Sequence, residues 1–161
     1  MKKLLLAAVL LLSEISSFAQ NGDAIYRKFS DEPGVSGVYI SPAMFRMIGR
    51  IPSMRISDED VDISSIVRSL SGFYLLSSEN KSVNEALRSE MGRVRNTTKY
   101  ELLMEAKDDG NKMSIDTANK GDLITSLLFL AEALDQCQFI MLDGSIYQED
   151  LDKLLSKAMG D

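Results

Sequence analysis

The sequence contains no histidine, and this absence excludes more kinds of function than any motif supports. Without histidine there is no Ser-His-Asp or Cys-His nucleophile, no H-E-x-x-H zinc site and no histidine-ligated metal or haem. Cys137 is the single cysteine, so zinc and iron–sulfur sites built from several cysteines are excluded as well. A Ser-Lys dyad or a carboxylate pair is compatible with the composition, but no local motif indicates either. We therefore expect no cofactor.

Apolar runs long enough to span a membrane are also lacking. The run from Leu4 to Leu12 has nine residues, whereas a membrane-spanning helix needs ~20. Lys2 and Lys3 precede this run and small residues follow it, which is the pattern of a signal peptide. We predict that residues 1–19 are a signal peptide, cleaved between Ala19 and Gln20. The mature protein is then expected to be periplasmic or secreted. Because Gln20 stands where a lipid-accepting cysteine would be needed, no lipid anchor is expected.

Residues 20–161, the predicted mature chain, contain fewer basic than acidic residues. Without Lys2, Lys3 and Glu14, 16 basic residues face 23 acidic ones. This balance argues against nucleic acid and anionic membranes as partners, because both are bound by neutralising phosphates with Lys and Arg. The length suits a single domain that needs no disulfide or metal for stability. Cys137, beside an apolar run, is expected to be a buried and inert thiol.

Apolar residues at helical spacing and several capping patterns predict the helices. Ser41 followed by Pro42 is typical of a helix start, and Ser82 with Glu85 forms a capping-box pattern. Gly72 is predicted to end the helix expected at 63–70. The expected helices are 23–29, 42–51, 63–70, 83–94 and a C-terminal helix at 147–159.

Strands are predicted at 35–40, 73–78 and 138–144, and a hairpin is predicted at 99–118, where apolar and polar residues alternate. A turn at Asp109-Gly110, or a four-residue loop at 108–111, sets one register. The resulting pairs are Ala106 with Met113, Met104 with Ile115, Leu102 with Thr117, and Lys107 with Lys112. The spacing of the acidic residues here does not fit a calcium loop in any frame, so the segment is interpreted as a turn. Segment 122–134 fits either a helix or a strand.

The predicted fold class is α+β, with helices packed on one face of a mainly antiparallel sheet. Candidate metal ligands are the carboxylates of the stretch SDEDVD: Asp58, Glu59, Asp60 and Asp62. The simpler interpretation of this stretch is the cap and acidic first turn of the helix that follows.

Four segments together carry a resemblance to a known family: SGVYISPAMFRMI, FYLLSSEN, YELLMEAKDDGNKMSI and FIMLDGSIYQEDLDKLL. In this order and spacing, from about Ile25 to Leu155, the chain resembles the domain-of-unknown-function family 4252, small exported proteins of Bacteroidetes-type bacteria. The resemblance implies a strand at 122–134. Many relatives look like lipoproteins, and Gln20 is a departure from them. No catalytic residue is carried over, because the family has none assigned.

The function predicted from these observations is a non-enzymatic binding or interaction module of the cell envelope, with an envelope protein as the kind of partner expected. One alternative is a protein that binds a small ligand or cation through the acidic 58–62 loop. The other is a hydrolase that depends on a pair of carboxylates.

Overall fold

The structure, a computed structural model, describes residues 21–50, 55–56, 61–62, 64–97 and 100–152. The elements follow one another as α1 (Asn21–Phe29), β1 (Val35–Ile40), α2 (Pro42–Ile48), β2 (Arg55–Ile56), β3 (Val61–Asp62), α3 (Ser64–Ser69), β4 (Leu70–Ser78), α4 (Lys81–Thr97), β5 (Tyr100–Asp108), β6 (Asn111–Lys120), β7 (Leu123–Glu132) and β8 (Cys137–Tyr147). A helix α5 begins at residue 148 and is described as far as 152.

Six strands form one antiparallel sheet in the order β1-β4-β8-β7-β6-β5, and β2 pairs with β3 separately. Together with the helices, this sheet confirms the predicted α+β class. None of the helices described between residues 21 and 152 has the length and apolar character needed to cross a bilayer.

The core lies between one face of the sheet and the helices α1 and α4, as the prediction of helices on one face requires. The side chains facing the helices alternate along each strand with side chains of the other face, so that Tyr74 and Leu76 are buried while Leu75 is half-buried. Each large apolar side chain that is fully buried contributes about 1.5–3 kcal/mol. The core comprises Ile25, Phe29, Tyr74, Leu76, Val83, Leu87, Met91, Val94, Leu128, Leu130, Cys137, Phe139 and Met141.

Two capping predictions have different outcomes. Ser41 caps α2 as expected, because its hydroxyl accepts a hydrogen bond from the backbone N–H of Met44 (3.3 Å). The predicted cap Ser82 is wrong. Asn80 caps α4 instead, and its Oδ1 accepts from the N–H groups of Ser82 and Val83 at 3.0 and 3.4 Å. Asn and Ser are comparably good N-caps, so the sequence pattern alone does not show which of the two residues caps α4.

Two helix ends also differ from the prediction. The helix expected at 63–70 is α3 (Ser64–Ser69), and Gly72 does not end it but lies inside β4. Strand pairing with β8 decides the conformation here, since Leu70 and Gly72 already pair with Gly144 and Asp143. The helix predicted over 42–51 ends at Ile48, with Gly49 as its C-cap. Ile51 and Ile63 lie outside the described residues.

Near the C-terminus, the ambiguous segment 122–134 contains strand β7, as the family resemblance implied. Tyr147, predicted as the first residue of the C-terminal helix, is instead the last residue of β8. The helix begins one residue later, at 148, and the remainder of the predicted span, 153–159, lies outside the described residues.

The β5–β6 hairpin confirms the predicted turn. Asp109 and Gly110 both have positive φ, 43° and 84°, as the tight two-residue turn requires. The pairs predicted near the turn are present, but a bulge at Leu103 makes the predicted pairing of Leu102 with Thr117 wrong. Leu102 pairs with Asp116, and Glu101 takes the position opposite Thr117.

Candidate functional site

The sheet face opposite α1 and α4, called the open face here, carries an unbroken apolar row across all six strands. Its side chains come from residues that pair in register from one edge to the other. In sheet order, this middle row consists of Val38, Leu75, Ile140, Phe129, Ile115 and Met104. It is the most extensive apolar feature outside the core in the part of the chain that the structure describes.

Two further rows flank the middle row, one on each side. The row of small and polar side chains, nearer the 109–110 turn, consists of Ser36, Ser77, Gln138, Ala131, Met113 and Ala106. The row on the other side is again large and mostly apolar: Ile40, Phe73, Leu142, Leu127, Thr117 and Glu101. Glu101, at the end of an edge strand, is the single charged side chain among these eighteen positions.

Solvent reaches most of the open face. Val38 and Met104, at the two edges of the middle row, are 47% and 42% exposed, and the four residues between them are half-buried. The corresponding positions on the helix side, such as Leu76 and Phe139, have no exposed surface. The same strands therefore present a covered apolar face and a largely uncovered one.

A groove follows the row of small side chains. It has a volume of about 360 Å³, and its walls include Ser77, Gln138, Ala131, Met113 and Ala106. The groove exists because serine and alanine lie where the next row has phenylalanine, leucine and isoleucine. The open face thus has a ridge and an adjacent groove, roughly 7 Å apart, which is two residues along a strand.

The groove ends beside the β5–β6 turn, where Lys107 and Lys112 pair directly across the hairpin. Their like charges are compensated on the helix side, where Glu105 contacts Lys107 Nζ at 2.6 Å and Lys112 Nζ at 3.2 Å. These hydrogen bonds hold the pKa of Glu105 below its ordinary value. The lysines therefore stabilise the hairpin.

On the helix side, three residues form a buried chain of hydrogen bonds. Tyr100 donates from its hydroxyl to Ser126 Oγ (2.9 Å), and Ser126 donates in turn to Asp143 Oδ1 (2.8 Å). Burial raises the pKa of Asp143 to about 6, although the hydrogen bond from Ser126 acts in the other direction. Burial likewise raises the pKa of Tyr100 to about 12. A carboxyl with a raised pKa is a known mark of functional sites, but Asp143 is only 7% exposed.

A second buried carboxylate, Asp116, is neutralised by α4. Arg95 donates from Nε to Asp116 Oδ2 at 3.0 Å, and its Nη2 contacts the same oxygen and Ser114 Oγ. The Asp116 side chain is 3% exposed, against 25% for Arg95. Because this ion pair joins the end of the long helix to β6, it fixes α4 on the sheet.

The acidic stretch predicted as a cation site is mostly beyond what the structure describes. Asp58, Glu59 and Asp60 lie outside the described residues, and Asp62 lies in β3, where its backbone pairs with Arg55. Within 21–50, 55–56, 61–62, 64–97 and 100–152, no three His, Cys, Asp or Glu residues lie close enough together to hold a metal ion. Cys137 is a buried free thiol, as predicted.

The open face was not predicted from the sequence, although the sequence contains a pattern that indicates it. Three adjacent strands contain continuous apolar runs rather than alternating patterns: FYLL at 73–76, LLFLA at 127–131 and FIML at 139–142. Such runs are typical of strands that are covered on both faces. These three runs therefore indicate that the second face of the sheet also needs a partner. The β5–β6 hairpin, in contrast, shows only the alternating pattern of strands covered on one face.

Comparison with known proteins places the chain in a family. A family model described as a domain of unknown function, DUF4252, matches residues 26–154, which is most of the chain. Neither the curated proteins nor the solved structures give a match. The chain belongs to the DUF4252 family.

Proposed function

We propose that this protein is an exported, non-enzymatic interaction module of the cell envelope, and that it binds its partner through the open face. Export is supported by the pattern of residues 1–19, with Lys2 and Lys3 before a nine-residue apolar run and small residues before Gln20. Cleavage there would release a periplasmic or secreted protein.

The observation that carries the proposal is the middle row of the open face. Six apolar side chains in register span the whole sheet, and large apolar side chains of the row at residues 40, 73, 142 and 127 extend the patch. Contiguous apolar surface of this kind marks interaction sites in soluble proteins, because leaving it in water costs ~25 cal/mol per Å².

The position of the polar groups favours binding over catalysis. Among the eighteen positions of the three rows, the uncharged polar groups are serine, threonine and glutamine, and Glu101 is the single charged one. Asp108, two residues beyond Ala106 on β5, adds a second carboxylate at the groove. The buried carboxylates Asp116 and Asp143 lie on the helix side, hydrogen-bonded to Arg95 and Ser126. The groups best suited to acid–base chemistry are thus separated by the sheet from the surface that is open to a partner.

The proposal is tested by placing a photo-crosslinking residue at position 129, in the centre of the open face, in the producing cells. Position 86 on α4, where Ala86 is exposed, serves as the matched control. A discrete crosslinked species is expected from position 129 and none from position 86. Crosslinking at neither position, or equally at both, would refute the open face as the contact surface.

Export is tested separately by determining the N-terminus of the protein in the envelope fraction. The expected first residue is Gln20, and Leu10→Arg, which interrupts the apolar run, should leave the protein uncleaved inside the cell. Full-length protein starting at Met1 in the cytoplasm would exclude the exported part of the proposal.

A further inference from the structure

We infer that the tyrosines Tyr26, Tyr39 and Tyr74, with the polar side chains beside them, form a binding site for a neutral saccharide. The site lies on the helix side of the sheet, where α1 packs beside the edge strand β1. It is therefore separate from the open face, and the inference does not depend on what the open face binds. Three features support it: a fixed aromatic platform, the polar groups at its rim, and the charge and size of the pocket.

The three tyrosines form one continuous surface, called the tyrosine platform here. Tyr39 and Tyr74 pair across β1 and β4, and their rings are stacked with centroids 5.2 Å apart. The ring of Tyr26, on α1, contacts both, with centroid distances of 5.9 and 6.2 Å. Tyr74 is buried in the core, whereas 40% of Tyr39 is exposed. The platform is thus fixed at its inner end and open to a ligand at its outer end.

Two glycines make room for the platform. A Cβ atom at Gly37 would lie 2.9 Å from the ring of Tyr26, and one at Gly22 would lie 2.7 Å from the ring of Tyr74. A glycine inside a strand, such as Gly37 in β1, typically marks a close approach of another group. Here that group is the ring of Tyr26. Because the rings are held by these contacts, binding a ligand requires little ordering of the protein.

Four polar side chains stand around the exposed end of the platform: Asp23, Arg27, Ser30 and Asp31. Arg27 donates from Nε to Asp23 Oδ2 at 2.7 Å. Among the residues that the structure describes, the four side chains make no other hydrogen bond. The second oxygen of Asp23, the Nη groups of Arg27, the hydroxyl of Ser30 and the carboxylate of Asp31 therefore remain for a ligand.

An aromatic surface with such a rim suits the two-sided chemistry of a sugar. The C–H groups on one side of a sugar ring pack against an aromatic face as other apolar groups do. Its hydroxyl groups donate to carboxylates and accept from a guanidinium or a hydroxyl. The pocket has a volume of about 330 Å³, at the lower end of the range for small-ligand sites. This size favours a ligand of about one or two sugar rings.

The charges of the rim favour a neutral ligand. Two carboxylates, Asp23 and Asp31, stand against the single guanidinium of Arg27, and this excess of negative charge disfavours a phosphate or an acidic sugar. A cationic ligand is disfavoured because Arg27 already lies beside the rings. Its hydrogen bond with Asp23 raises the pKa of the guanidinium, and Tyr39 and Tyr74 contribute to the same direction.

The test uses tyrosine fluorescence of the purified protein. The chain has no tryptophan, and three of its five tyrosines form the platform, so the emission reports on the site. The probes are glucose, galactose, mannose, N-acetylglucosamine, cellobiose and lactose, with choline and inorganic phosphate as charged probes. At least one saccharide is expected to change the emission saturably, and choline and phosphate should leave it unchanged.

Two variants with matched controls locate the binding, with Kd measured by calorimetry for the saccharide that binds. Tyr39→Ala should raise the Kd about 10-fold or more, whereas Tyr147→Ala, which removes a tyrosine that is 60% exposed at the end of β8, should leave it unchanged. Asp31→Asn should also raise the Kd, by about 10-fold, and Asp122→Asn should not. Position 31 is exposed, so Asp31→Asn tests the rim without disturbing the core. Thermal melting of each variant shows that it is folded.

Wild type that binds none of the saccharides at ~10 mM, where a site with a Kd of ~1 mM would be largely filled, would overturn the inference. Affinity retained in both Tyr39→Ala and Asp31→Asn would overturn it as well, because the saccharide would then bind elsewhere. Binding of choline or phosphate that Tyr39→Ala abolishes would assign the platform to a charged ligand and exclude a site for a neutral one.

Discussion

At the scale of single residues, Asp143 is in an environment very different from that of a solvated carboxyl. It lies on the covered side of the central strand, and its hydrogen bond comes from a neutral hydroxyl, that of Ser126. Burial disfavours the charged form, which is why the pKa rises to about 6. The folded protein therefore binds a proton at Asp143 in a pH range where the unfolded chain, with an ordinary pKa of ~3.9, has lost it.

The consequence for stability has a definite sign. Because the folded-state pKa is raised, the contribution of Asp143 is most favourable below about pH 4 and is lost as the pH rises through about 6. Asp143→Asn, which keeps an oxygen for Ser126, should therefore stabilise the protein at pH 7 by about 2 kcal/mol relative to wild type and have no such effect near pH 4. Urea denaturation at a series of pH values measures the difference.

The exposed Asp122 provides the control, because Asp122→Asn should change stability little at any pH. If Asp143→Asn lowers stability at pH 7, the carboxylate is charged and stabilised in the folded state, and the account of its burial is wrong.

At the scale of elements, much of the secondary structure was predictable because its signals are local. The helical spacing of Val83, Leu87, Met91 and Val94 needs no knowledge of the rest of the chain, and all four are buried. The Asp109-Gly110 turn set the register near it for the same reason. The bulge at Leu103 was not predictable, since the alternation before the turn places Leu102 in the same row as Met104, and only the pairing of the edge strand puts Glu101 opposite Thr117 instead.

The attachment of α4 to the sheet shows the same limit. Arg95 and Asp116 are 21 residues apart in the chain, and each alone resembles an ordinary solvated charge. Only the tertiary structure brings them together. Once Asp116 is buried, its charge depends on Arg95, because a buried carboxylate without a partner is strongly destabilising.

We expect Arg95→Met to lower the free energy of unfolding by about 3 kcal/mol or more, since the Asp116 carboxylate would be left buried without its cation. Adding Asp116→Asn to Arg95→Met should recover most of the loss, because the remaining group is neutral. Chemical denaturation of the single and double variants measures both effects. Arg27→Ala, which removes an exposed pair with Asp23 on α1, is the control and should have no measurable effect. A double variant as unstable as Arg95→Met would contradict this account.

At the scale of the whole molecule, Cys137 provides a probe of opening. The thiol is buried in the core between the sheet and α4, and burial raises its pKa to about 11. Since the thiolate is the reactive form, a thiol reagent should modify native protein only as fast as the core opens. The labelling rate should therefore rise steeply with denaturant, in step with unfolding.

Ser145→Cys, at an exposed position on the same strand, is the control and should react at once in the native protein. Immediate modification of Cys137 in the folded wild type would mean that the β8 end of the core is accessible.

The arrangement of the strands was beyond local prediction. Periodicity indicates that a segment is a strand but not which strand it pairs with, and the order β1-β4-β8-β7-β6-β5 depends on pairings between distant segments. The open face depends on that order, because Leu75 is more than fifty residues away from Phe129 and Ile140 in the chain and joins them only because β4 pairs with β8. Fold class and helix positions were therefore accessible from the sequence, whereas the surface that we propose to be functional was not.

The central place of β8 also has a kinetic consequence. β8 is the last strand described, yet it lies between β4 and β7 and pairs with both along most of its length. Until residues 137–147 have been synthesised, the β1–β4 pair and the β5–β6–β7 meander have no strand to join them. Contacts between such distant segments form slowly. A chain whose sheet is completed only by its last strand cannot form its full core until residues 137–147 have been made, and this delay is compatible with the export that we propose.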